Sequence, residues 1–137
     1  MSARALVELY ARSPAGPIPN GRARGVALIG SGTPIGEFFA WTTRVFGWQG
    51  KTFDAARGHL VNRITPFHIE AIAADVYFGP SLFDGGDCIV LDYSKTSTVA
   101  RFIRDEIRNV APGCYLGFAY AGRLRTIAFG LDFPSTA

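Results

Sequence analysis

The chain has 137 residues, 48% of them hydrophobic and 18% charged, with a formal net charge of +3. That is enough for a single domain over 1–137 with a real core. The basic residues are spread without a Lys/Arg block, which argues against a nucleic-acid partner. No apolar run reaches the ~20 residues that span a bilayer.

Residues 3–11, "RALVELYAR", place Leu6, Val7 and Tyr10 at helical spacing. "SPAGPIPNGRARG" follows, and Pro14, Pro17 and Pro19 forbid a helix there. The segment 1–24 is expected to wrap onto the body of the domain, with Ile18 as an anchor. "GVALIG" (25–30) reads as a strand. "SGTPIGEFFAWTTRVFG" predicts a helix over 34–46, with Thr33 as N-cap, Pro34 at the first helical position and Gly47 as the stop.

From Trp48 the pattern turns to strands. "WQGKTFD" (48–54), "GHLVNRIT" (58–65), "HIEAIAADVYF" (68–78) and "CIVLDY" (88–93) are β-rich and separated by turn signals. "FGPSLFDGGD" reads as a hairpin loop with Gly85 and Gly86 at its tip. Residues 97–110, "STVARFIRDEIRNV", predict an amphipathic helix with Val99, Phe102, Ile103, Ile107 and Val110 as its apolar stripe. "CYLGFAYAGRLRTIAFGLDF" (114–133) is a hairpin turning near Ala121 and Gly122. The fold class is therefore α+β: a strongly curved antiparallel sheet or small β-barrel with capping helices at 34–46 and 97–110.

"FGWQGKTF" resembles the Gly-x-Trp region of calycin-like proteins, the lipocalins, fatty-acid-binding proteins and their bacterial relatives, here with Gly47 and Trp48 adjacent. That resemblance implies an up-and-down barrel with an internal cavity for an apolar ligand. "WQGKTFD", "LDYSKTS" and "IRDEIRNVAPGCYLG" are also similar to an uncharacterised family of small bacterial proteins. Haem-binding calycin relatives use a histidine late in the chain; the histidines here are His59 and His68, so the resemblance does not extend to haem.

Several residues carry candidate chemistry. Asp92 ends an apolar strand whose two faces are both apolar, so a buried or semi-buried carboxylate paired with Arg101 or Lys51 is expected. A helix cap next to Thr96, Ser97 and Thr98 is the plainer reading of the same stretch. Lys51 shares a face with Phe53 and is a candidate base or electrophile; a solvated lysine on an edge strand is the alternative. Arg63 lines the barrel or faces solvent. His68 starts a strand, and Tyr93 and Tyr115 sit in strands where a hydroxyl can orient a ligand or donate a proton. The eleven Phe include Phe53, Phe118 and Phe129 as walls for a ligand.

No Walker loop, dinucleotide fingerprint, nucleophile elbow or metal-ligand spacing occurs in the sequence. Cys88 and Cys114 lack CxxC spacing and a signal-peptide context, so two free buried thiols in a reducing cytoplasm are expected. The reading is a cofactor-independent acid–base enzyme, a lyase or isomerase, acting on a small apolar or aromatic compound inside a barrel cavity. Lys51, His68, Asp92, Tyr93, Arg101 and Tyr115 are its candidate catalytic residues, with no metal and no cofactor. The alternative is a non-catalytic binding protein for a lipid-like or aromatic ligand. A homodimer is left open.

Overall fold

A computed structural model describes residues 2–30, 48–64, 69–95 and 101–134. A short helix, α1 (Ala3–Ala11), leads into β1 (Gly21–Arg22) and β2 (Arg24–Gly30). The strands β3 (Trp48–Asp54), β4 (His59–Ile64), β5 (Ile69–Pro80), β6 (Asp87–Asp92), β7 (Ile103–Ala111), β8 (Cys114–Ala121) and β9 (Leu124–Asp132) follow. All pairings are antiparallel, in the order β1-β3-β4-β5-β6-β7-β8-β9-β2.

That order makes a nearly closed barrel. β1 and β2 are consecutive, broken only at Ala23. β1 pairs with β3 while β2 pairs with β9, so the first length of strand joins the two ends of the meander. The seam depends on a bare backbone at Gly50. Its φ is 136°, and a Cβ there would run into the carbonyl oxygen of Ala23. Arg63 clamps the same place: its guanidinium donates to the carbonyl oxygens of Ala23 and Lys51 and to Thr52 Oγ1. Closure removes exposed sheet edges, which are otherwise templates for aggregation.

Alternation assigns the two faces. Inward residues include Phe53, Leu60, Val76, Leu91, Ile107 and Phe129, which form one buried cluster. Gly117 leaves room for the Phe129 ring, which lies where its Cβ would be. Outside, α1 lays Leu6 and Tyr10 on Leu116, Phe118, Tyr120 and Ala128. Ser2 caps α1 by accepting from the backbone N–H of Ala5. The proline-rich stretch closes one end of the barrel. Ala15, Ile18 and Phe133 pack against the inner cluster there, and Tyr115 Oη donates to the carbonyl oxygen of Pro17 at 2.7 Å.

Two expectations change. Where a helix was expected over 97–110, the described residues 103–110 lie in strand β7, paired on both sides by β6 and β8. Burial on both faces of the sheet outweighs the helical periodicity, because β7 covers the inside with Asp105 and Ile107 and the outside with Glu106 and Arg108. With α1 as the helix among the described residues, the fold is mostly β rather than evenly α+β. The helix expected over 34–46 lies outside the described residues.

Candidate functional site

At the end of the barrel opposite the proline-rich plug, four polar side chains meet inside. Lys51 comes from β3, Asn62 from β4, Tyr93 from just past β6 and Asp105 from β7, and all four are buried. Lys51 Nζ donates to Asn62 Oδ1 and to Tyr93 Oη, each at 2.7 Å, and lies 3.1 Å from Asp105 Oδ2. Asn62 Nδ2 donates to Tyr93 Oη at 3.0 Å, and Tyr93 Oη donates to Asp105 Oδ2 at 3.2 Å. Phe129 forms the floor, its ring centroid 5.5 Å from Lys51 Nζ, a cation–π distance.

The direction of every hydrogen bond follows from the chemistry of the groups. An ammonium only donates, so Tyr93 Oη accepts from Lys51. Asn62 Oδ1 accepts from Lys51, so its amide N–H faces Tyr93 and donates as well. The single phenolic proton is thereby turned toward Asp105. Burial pushes the Tyr93 hydroxyl up, to about 12, with the Asp105 charge adding to the rise. Burial by itself would lower the Lys51 pKa, but Tyr93 and Asp105 outweigh it and the net shift is upward. At neutral pH Lys51 is thus an ammonium and Tyr93 a neutral phenol, with the Asp105 carboxyl group 3.1 Å from the ammonium.

The structure brings two of the six candidate catalytic residues together, Lys51 and Tyr93. Asp92 is not the partner of Lys51 or Arg101. It sits half-buried on the outer face, accepts from Tyr77 Oη at 2.7 Å and from Ser94, and makes no ion pair among the described residues. Partial burial would raise its pKa, but the Ser94 and Tyr77 hydrogen bonds prevail and hold it low. Strand parity explains the correction: Tyr93 and Leu91 point inward, so Asp92 between them points out. Arg101 is exposed, with its guanidinium over the Phe102 ring. Tyr115 is buried at the plugged end. His68 lies outside the described residues. Phe53 and Phe129 face the interior, whereas Phe118 is outside, against Tyr10.

Asp105 and Asn62 were missed. Within "IRDEIRN", Ile103, Asp105 and Ile107 alternate as a strand would, and that period was the signal for an inward carboxylate. Asn62 shares a face with Leu60 in "HLVNRI" by the same count.

A second polar cluster lies outside the barrel, under α1. Glu106 is fully buried and accepts from Tyr10 Oη at 2.7 Å, from Ser81 Oγ, and from the backbone N–H of Leu82 at 2.9 Å. Arg108 pairs with Asp84 through two hydrogen bonds and donates to the Tyr10 carbonyl oxygen. These groups are satisfied by one another and fasten the helix to the sheet. Beside α1, an apolar groove of about 600 Å³ runs between Leu6 and Leu9 on one side and Val26 and Leu28 on the other.

Cys88 is buried and Cys114 half-buried, and both are free thiols. Among the described residues no group of three His, Cys, Asp or Glu is placed to hold a metal ion. No helix among them is long and apolar enough to cross a membrane.

The fold is that of a nearly closed antiparallel barrel, and it has a solved neighbour. A protein from Thermomonospora curvata superposes with a TM-score of 0.68 over 98% of this chain and 89% of its own, at 20% identity. At that identity the likeness concerns the fold alone. No family model and no curated protein sequence matches the chain.

Proposed function

We propose that this protein is a cofactor-independent acid–base enzyme, a lyase or isomerase, acting on a small apolar or aromatic compound inside the barrel. The observation that carries this reading is the convergence of three ionisable side chains, Lys51, Tyr93 and Asp105, inside one apolar shell. A pure binding site needs one polar anchor to orient its ligand. An ammonium, a phenol and a carboxylate within hydrogen-bond reach supply a cation, a proton donor and a base, which suffice for elimination or isomerisation. The raised Lys51 pKa fits the role of electrophile rather than base. The meander, with its first strand beside its last, also supports the likeness to calycin-type barrels.

The test is conversion of a panel of small apolar carbonyl and phenolic compounds, including any ligand that native mass spectrometry finds retained. Lys51→Met and Tyr93→Phe should each lower turnover by about 10²–10³, the usual effect of removing a group that stabilises developing charge. Tight binding with no conversion of any bound compound would replace the enzyme with the binding protein. The outer groove between α1 and β2 favours that second reading, for a lipid-like ligand. Glu substitution of Val26 and Leu28 would then abolish binding while Lys51→Met would not.

A further inference from the structure

Resting on that reading, we infer that the site takes a neutral compound bearing a carbonyl or acidic hydroxyl group. Asp105 removes its proton, and Lys51 and Tyr93 hold the oxyanion that forms.

The argument is one of charge conservation in a buried place. Before reaction the Lys51 ammonium is balanced by the Asp105 carboxylate 3.1 Å away. Suppose Asp105 takes a proton from the carbon next to a carbonyl. The C–H electron pair moves into a new C=C bond, and the carbonyl π pair moves onto oxygen. Asp105 becomes a neutral acid and the enolate carries the negative charge. The negative charge facing Lys51 passes from one oxygen group to another, and the total charge of site and substrate is unchanged. An isolated charge in such surroundings is strongly disfavoured, so this exchange costs far less than creating an unbalanced anion. Return of the proton from Asp105 to another carbon of the same system completes an isomerisation, with no co-reactant consumed.

The donors are set for this. Tyr93 and Lys51 are both in contact with Asp105, so as the carboxylate takes the proton the same O–H and N–H can turn to an oxygen beside it. Asn62 is a positioning residue: by donating to Tyr93 Oη it leaves the phenolic proton directed at that spot. The same balance disfavours substrates that arrive already negative, because Asp105 would then face a second uncompensated anion.

The experiment uses para-nitrophenol, whose absorbance reports its ionisation. Asp105→Asn mimics the protonated carboxyl and removes the carboxylate that repels an anion beside Lys51. It should bind para-nitrophenolate at least about tenfold more tightly than the wild type does, as expected for a charge-assisted contact. The gain should vanish in Lys51→Met/Asp105→Asn. Equal phenolate affinity in wild type and Asp105→Asn, or a gain that survives loss of Lys51, would overturn the assignment. Should Asp105→Asn fail to fold, the wild type decides. Para-nitrophenol, able to donate to Asp105, should bind about tenfold or more tightly than its methyl ether, and equal binding would overturn the proposal. Hydrogen–deuterium exchange into β-tetralone, followed by NMR, separates the two readings. Phenolate selectivity without exchange keeps the oxyanion site and counts against enzymatic turnover. Exchange without phenolate selectivity keeps the enzyme and removes this assignment.

Discussion

The hydroxyl of Tyr10 donates to Glu106 Oε1 at 2.7 Å, joining the N-terminal helix to a strand 96 residues away at a fully buried carboxylate. Tyr10→Phe keeps the ring on Phe118 but leaves Glu106 one donor short. A buried charged group that loses a partner costs about 1–3 kcal/mol. Chemical denaturation should show that loss with an unchanged m-value, and an unchanged midpoint would mean that water replaces the hydroxyl.

The Lys51–Asp105 pair predicts a pattern of non-additivity. Asp105→Leu and Lys51→Met should each destabilise by about 3–5 kcal/mol, since each removes one member of a buried ion pair. The double variant should be much less destabilised than the sum of the two, and close to wild type. Additive losses in a double-mutant cycle would show that the pair is not coupled.

Barrel closure at Gly50 gives a third prediction. Gly50→Ala forces a side chain toward the Ala23 carbonyl and into a φ that L residues rarely adopt. The expected cost is about 1–3 kcal/mol. Amide exchange in β1 and β3 should accelerate more than in β6 and β7, and uniform acceleration would place the weak point elsewhere.

The Asp84–Arg108 pair sets an acid limb. The Arg108 hydrogen bonds are the largest cause holding the Asp84 carboxyl below its ordinary value. Its contribution to stability is therefore complete above the unfolded carboxyl pKa of about 3.9 and is lost as pH falls through the lower folded value. Asp84→Asn should reduce stability at neutral pH and flatten the fall in stability on acidification. A parallel offset at every pH would contradict it.

The cysteines should differ in reactivity. Burial, with the charge of Glu106 adding to it, pushes the Cys88 thiol up to about 11, and Cys88 has no exposed surface. In the native protein iodoacetamide should label Cys114 before Cys88. Equal rates would mean that β6 opens readily.

How much of this was legible beforehand depended on range. Strands such as Trp48–Asp54 and the hairpin turning at Gly122 were readable because alternation and turn chemistry are local. So were α1 and the shared face of Lys51 and Phe53, though not that this face points inward. "IRDEIRN" was not, because its apolar residues satisfy a helical stripe and a strand alternation equally well. Only the pairing of β7 between β6 and β8 decides between them. Asp105, which lies off the helical stripe, followed that decision into the barrel interior. Asp92 failed for a related reason: the end of an apolar strand says that a carboxylate is near the core but not on which side of the sheet. Which cation meets which anion is a long-range fact. The sequence by itself determined the strands and the residue types available to a site; barrel closure decided which of them share its interior, because one step of strand parity moves a side chain from one face to the other.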